Sequence, residues 1–285
     1  MIEVKKIEKF LGKKLIGENF QLSENFFSSL KNIKDRTIVF SNKDLENLDI
    51  FLNKKILLIS NFKIEKKTKN ISQIIVENPK EKFFEILRKF YKIKQIKKSP
   101  KIGEKTVVEK YVYLGNNVKI GRNCHIQSNV TISDNVIIGN NTTIKSGSII
   151  GRRGFGVVKD ENGKLLETDH YGSVIIGNNV EIGALNSIPQ GTIDDTKILD
   201  YNKTDDNVHI AHNCILNENN TICASVSFGG SVILGKNNFI GLNCIFKNGL
   251  KIGDNNFFGQ GSNVTKDIGS GLLVLGSPAR SIKKI

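Results

Sequence analysis

From Leu114 onward an apolar side chain returns every sixth residue: at Leu114, Ile120, Ile126, Ile132, Ile138, Ile144 and Ile150, at Ile176, Ile182 and Ile188, and at each sixth position from Ile210 to Val264. These twenty positions at one spacing define an internal repeat that fits neither an amphipathic helix nor one long strand. A Val, Thr, Ser or Cys often stands two residues earlier and a Gly one residue later, as in "NVKIGRN" and "NVIIGNN". A strand turns alternate side chains to one face, so each pair meets a common core before the chain turns. One hexad is therefore a short strand plus a corner, and three hexads make a triangular coil of 18 residues. Asn202, Asn220, Asn238 and Asn256 repeat independently at 18, as do Phe228 and Phe246, which predicts stacked amides and stacked rings on successive coils. Cys124, Cys214 and Cys244 take the small inward position of the same register, so reduced, buried thiols are expected. No CxxC or Cys–His spacing suggests a metal site.

Residues 1–95 read instead as a small α/β domain. "EVKKIEKFLG" has helical spacing ending at Gly12, "RTIVFS", "KKILLIS" and "SQIIVEN" read as strands, and "PKEKFFEILRKFYKIK" reads as an amphipathic helix opened by Pro79. A linker is expected at 96–105, followed by a mainly β, parallel β-helix domain at 106–285. Two loop excursions interrupt the hexads, near 152–173 and 192–206. Of the net charge of +14, residues 1–105 carry 25 Lys+Arg against 13 Asp+Glu, hence 25 − 13 = +12. That excess suits an acidic carrier protein or a phosphorylated substrate, or else reflects a Lys-, Asn- and Ile-rich composition. No nucleic-acid motif accompanies it. No apolar run reaches the roughly 18 residues of a membrane span, and the start lacks a signal-peptide core, so a cytoplasmic protein without stable membrane insertion is expected.

"GRRGFG", "VIIGNNVEIGA", "GTIDDT", "DDNVHIAHN" and "FGGSVILGKNNFIG" follow the order and spacing of the bacterial UDP-3-O-(3-hydroxyacyl)glucosamine N-acyltransferases of lipid A synthesis, and the chain resembles that family along most of its length. The resemblance implies a left-handed β-helix, a homotrimer with sites between subunits, and no bound cofactor. It assigns the catalytic base to His212, its partner to Asp205, and the oxyanion-binding amide to Gly230, one 18-residue coil after His212. Phe40 and Asn42 match two of the family's three uracil-holding residues, with Leu45 where a tyrosine stands. Asn213, Gly229 and Asn248 are expected to touch substrate. His170 is expected either to contact substrate or to anchor its loop. Phe155 and Gly156, with Gly154, line a pocket or serve a turn.

Other positions depart from the family. "IPQG" replaces "IDRG" at Ile188–Gly191, and the histidine of an "NGH" segment is replaced in "FKNGLKIG" by Gly249. The ending "VLGSPARSIKKI" resembles sugar acetyltransferases that use acyl-CoA, and the family's C-terminal helices for acyl carrier protein have no counterpart. The sequence therefore points first to N-acyl transfer from acyl-CoA to another nucleotide-linked amino sugar, for cell-surface polysaccharide. The lipid A reaction with acyl carrier protein is the alternative, and a non-catalytic scaffold a third reading. The chemistry suits a histidine: an amine attacks a thioester only when neutral, and an imidazole titrating near ~6.5 can take its proton. His209 and His125 are expected to face outward.

Overall fold

A computed structural model describes residues 2–45, 48–51, 53–65, 69–91, 97–160 and 162–284. Two compact units emerge, one of Met1–Gln95 with Phe155–Asp169, the other of Ile96–Gly154 with His170–Ile285.

The first unit is a four-stranded sheet with two helices. Helix α1 (Val4–Leu11) buries Val4 and Ile7 and stops at Gly12, whose φ of 60° is the left-handed conformation glycine adopts at helix ends. Strands β1 (Leu15–Ile16), β2 (Thr37–Ser41), β3 (Ile56–Ser60) and β4 (Ile71–Ile75) lie in the order β1-β4-β3-β2. The last three are parallel and β1 is antiparallel to β4. Helix α2 (Pro79–Phe90) buries Phe83, Phe84, Ile86 and Leu87; the end of the helical reading, residues 92–94, lies outside the described residues. The sequence reading missed the two-residue strand β1 and the short helical turn Asp49–Phe51. The first excursion belongs to this unit: Val157–Lys159 and Leu165–Glu167 form an antiparallel hairpin, the Lys159 carbonyl accepts from Asn78 Nδ2 at 3.0 Å, and Arg88 pairs with Asp169 at 3.8 Å.

The second unit is the coil that the hexads predict. Three sheets of mostly two- and three-residue parallel strands run its length, one of them ending in the antiparallel pair Leu272–Gly276 and Ala279–Lys284, and residues 18 apart stack in register, as Ile132 does on Leu114. The inward residues form one continuous apolar core with Cys124, Cys214 and Cys244 among them. The Asn column is buried and bonded: Asn220 Nδ2 donates to Asn202 Oδ1 at 3.0 Å, and Asn238 Nδ2 to Asn220 Oδ1 at 3.1 Å. The same amides reach the carbonyls of Leu199 and Asn217 at the corners, so this polar seam leaves its donors paired inside an apolar core. Phe228 and Phe246 stack with centroids 4.7 Å apart. Asparagine richness has a backbone cause as well. Corner residues Asn117, Asn123, Asn135, Asn141 and Asn179, among others, hold φ near +54 to +63°, where Asn is tolerated far better than branched residues.

Two boundaries differ from the sequence reading. The coil begins inside the expected linker, since Lys101–Ile102 pairs with Lys119–Ile120; residue 96 lies outside the described residues. The second excursion is far smaller than 192–206. Ile198 stacks on Ile176, 22 residues away, so only 22 − 18 = 4 residues are inserted, all between Ile188 and Thr196. Ile198 and Thr204 already face inward, buried. The hexads looked broken because the insertion shifts the register and Thr204 is polar. The first excursion inserts 20 residues by the same measure, Ile188 stacking on Ile150 at 38, and 38 − 18 = 20.

Candidate active site

The corner after the strand His209–Ile210 gathers a histidine with several interacting polar groups. Ile210 points inward, Ala211 is buried at the turn, and His212 follows, half-buried. One coil later the same position is Gly230, because Ile210 stacks on Phe228. A Cβ built on Gly230 would stand 2.7 Å from His212 Cε1 and 2.8 Å from Nε2, so glycine is what leaves room for the ring. The Gly230 N–H has no acceptor among the described residues, as at the Ala224, Leu242 and Asn248 corners, whereas the equivalent amides of Asn116, Arg122 and Asn140 are capped by side chains from the next coil. An unspent N–H beside an imidazole can receive a developing oxyanion. The Gly230→Ala variant is expected to fold with an unchanged melting temperature while turnover falls about 10²-fold, since displacing a reacting group by about 1 Å costs that much. Thermal melts and steady-state rates on the same preparation check it.

The other ring nitrogen is held from behind. His212 Nδ1 lies 3.0 Å from Asn213 Oδ1 and 3.5 Å from Thr192 Oγ1. Asn213 Nδ2 donates to the Asp194 carbonyl at 2.9 Å, and Asn213 Oδ1 accepts from the Thr192 N–H at 3.1 Å. Thr192 and Asp194 come from the four-residue insertion. His170 closes the side: it is 6% exposed, its ring centroid is 5.7 Å from that of His212, and Gln190 Nε2 donates to its carbonyl at 3.1 Å. Gly154 admits both rings, since a Cβ there would meet His170 Nε2 at 2.6 Å and His212 Cβ at 3.2 Å.

Several expected site residues lie elsewhere. Asp205 follows Thr204 at the preceding corner, so the strand His209–Ile210 separates it from His212, and no hydrogen bond joins them. Its carboxylate, exposed, lies near Cys223 and adds to the burial that pushes that thiol's pKa up. Within one chain, the seven-residue step from Asp205 to His212 crosses the face that carries His209–Ile210. Gly229 serves coil packing, where a Cβ would meet Asn248 N at 2.7 Å, and Asn248 is exposed one coil beyond Gly230. The residue after Asn248–Gly249 is Leu250, 6% exposed, so the "NGH" histidine position is an inward leucine rather than Gly249. Phe155, 83% exposed, and Gly156 group with the first unit. In that unit Phe40 packs on Phe83 at 4.9 Å, Asn42 is exposed, and Leu45 joins the apolar cluster around Val39 and Phe51. His209 faces outward but is half-buried, and burial, with the nearby Arg152 charge, lowers its pKa. His125 is only partly exposed and meets Glu109 at 2.6 Å. Sequence reasoning missed Thr192 as a neighbour of His212; its signal was the broken hexad register just before it. No group of three or more His, Cys, Asp or Glu placed to hold a metal occurs among the described residues.

These coils define a left-handed parallel β-helix built of hexapeptides, with a histidine corner facing a glycine one coil away. Residues 99–134 match the bacterial transferase hexapeptide (six repeats) model. A UDP-N-acetylglucosamine acyltransferase from Campylobacter jejuni shares the fold with a TM-score of 0.59 and 24% identity, over 65% of this chain and 70% of that one. The Bacteroides fragilis UDP-N-acetylglucosamine acyltransferase also gives 0.59, at 25% identity over 68% and 74%. Among curated proteins, UDP-3-O-acylglucosamine N-acyltransferase 2 of Legionella pneumophila is 52% identical over 132 residues, 46% of this chain and 38% of that protein. UDP-3-O-acylglucosamine N-acyltransferase of Thermosynechococcus vestitus is 40% identical over 81 residues, 28% and 24% of the two chains. The matches thus span between a quarter and two-fifths of these relatives' length.

Proposed function

We propose that this chain is an N-acyltransferase that moves an acyl group from a thioester to the amine of a UDP-linked acylglucosamine. The observation that carries the reading is the His212–Gly230 corner, an imidazole against the side-chain-free backbone of a glycine one coil away whose N–H has no acceptor among the described residues. The acceptor is read from the names of the curated relatives, which support the lipid A alternative better than the acyl-CoA reading. His212 Nε2 accepts a proton from the amine as its nitrogen bonds to the thioester carbonyl carbon. The carbonyl oxygen gains negative charge and is met by the Gly230 N–H. Collapse breaks the C–S bond, and the imidazolium returns its proton to the leaving thiolate. No metal or bound cofactor enters these steps.

The donor is read as an acyl carrier protein, acidic enough to meet the +12 excess of residues 1–105. Phe40 and Asn42 are read as contacts for the nucleotide, and the active form as a homotrimer. Strongly exposed apolar side chains on the coil, Val107 at 55%, Tyr111 at 82% and Tyr113 at 60%, suit such an assembly. No helix among the described residues is long and apolar enough to cross a membrane.

Incubation with UDP-3-O-acylglucosamine and either 3-hydroxyacyl carrier protein or 3-hydroxyacyl-CoA, followed by mass spectrometry of the sugar, tests the reading. One added acyl group from the carrier-protein donor is expected. Transfer only from CoA, and only to a thymidine-linked amino sugar, would restore the other reading.

A further inference from the structure

The carboxamide of Asn213 has an orientation that its partners fix. One end faces the Asp194 carbonyl at 2.9 Å, which can only accept, so that end is the NH2. The other end faces the Thr192 backbone N–H at 3.1 Å, which can only donate, so that end is the oxygen. The same oxygen lies 3.0 Å from His212 Nδ1, and two acceptors cannot share a hydrogen bond without a proton between them. Nδ1 therefore carries the hydrogen. In the neutral ring this leaves the lone pair on Nε2, the nitrogen on the Gly230 side. The Thr192 hydroxyl, at 3.5 Å, is too distant to impose the opposite tautomer against a contact half an ångström shorter.

Asn213 also occupies a left-handed corner, with φ of 61°, and that alone would account for an asparagine. Its side chain departs from the pattern, however. Where a second asparagine stands one coil away, the corner amides pair with each other, as Asn117 with Asn135 and Asn219 with Asn237. One coil after Asn213 stands Ser231, and the amide turns to the inserted segment instead. Thr196 Oγ1 anchors that arrangement, accepting from the Asn213 N–H and donating to the Pro189 carbonyl, both at 2.9 Å.

We propose that Asn213, locked by the four-residue insertion through Thr192 and Asp194, is the positioning residue that holds His212 in its Nδ1–H tautomer, the role a carboxylate plays in other acyl-transfer sites. This rests on His212 being the base.

The chain has four histidines, so selective nitrogen-15 labelling gives a spectrum in which His212 is assigned by its loss in His212→Ala. The wild-type protein is expected to show the Nδ1–H tautomer for His212. Asn213→Gly keeps the left-handed corner but removes the amide; a mixture of tautomers and a kcat lower by about 10²-fold, with KM unchanged, is expected. Asn213→Asp restores an acceptor beside Nδ1 and adds a charge that favours imidazolium. It should recover most of kcat while moving the acid limb of the rate profile to higher pH, because a raised pKa keeps the ring protonated longer. The other titratable or charged groups near that ring are His170, His209 and, beside His209, Arg152, and all are unchanged in the variant. An Nε2–H tautomer in the wild type, or Asn213→Gly with unaltered kcat and spectrum, overturns the proposal. Full turnover by His212→Ala overturns the underlying reading instead and leaves the tautomer result standing as a separate fact.

Discussion

The His212→Ala variant is expected to fold into the same coil and to lose acyl transfer, with kcat lower by about 10²- to 10⁴-fold, the range that a general base supplies. Both halves follow from where the residue sits. His212 is half-buried at a corner, outside the inward register of Ile210 and Cys214, so its removal opens no cavity in the core. Asn213 keeps its bonds to Thr192 and Asp194 without the ring, so the corner retains its shape and stability should shift by no more than about 0.5 kcal/mol. Measured together, a thermal melt and a single-turnover rate separate the loss of a base from the loss of a fold. Retained turnover would leave proton transfer to the departing thiolate itself. Asp205→Asn divides the two accounts of the site. A carboxylate partner for His212, as the resemblance implies, would make that variant slow; the strand separating the two residues implies a rate close to the wild type.

Much of the coil was legible because its physics is local and periodic. A two-residue strand needs one inward side chain, so Ile, Val, Cys and Phe recur at fixed steps, and the 18-residue sum aligns Asn202 with Asn220 and Phe228 with Phe246. The same arithmetic placed Gly230 beside His212. What escaped the sequence was whatever an insertion does to the count. Four extra residues after Ile188 move Ile198 and Thr204 out of the hexad count, so the strands Thr196–Ile198 and Lys203–Thr204 resemble loop in the sequence. For that reason nothing in the sequence marked Thr192 and Asp194 as partners of Asn213, which both of them hold. The first excursion misled in another way: "RRGFG" reads as one motif, yet Gly154 belongs to the His212 corner while Phe155 and Gly156 group with the N-terminal unit. Nothing in five consecutive residues reveals that a unit boundary runs through them.

The Phe246→Ala variant is expected to be the most costly single truncation in the coil, at about 3–5 kcal/mol. Phe246 is 1% exposed, stacks on Phe228 at 4.7 Å and meets Phe258 edge-on at 5.2 Å, so its loss leaves a cavity between two inward rings. A second pair provides an internal control. Phe239 and Phe257 stack on the outer surface with the same 4.7 Å separation and an interplanar angle of 10°, but they are 38% and 41% exposed. If ring stacking supplied the stability, Phe257→Ala would cost as much as Phe246→Ala; if burial does, it should cost only about the 0.5–1.5 kcal/mol that an aromatic pair contributes beyond its area. Urea unfolding of the two variants, compared by midpoint at constant slope, distinguishes these outcomes. The coil makes a further demand on the inner variant. Each coil touches only its neighbours, so damage at Phe246 is passed first to Phe228 and from there to Gly230, two residues along the same strand and corner. Phe246→Ala should therefore lower turnover at temperatures where most of the chain remains folded, whereas Phe257→Ala should not; equal rates for the two below their unfolding midpoints would show that the His212 corner is insulated from the core beneath it.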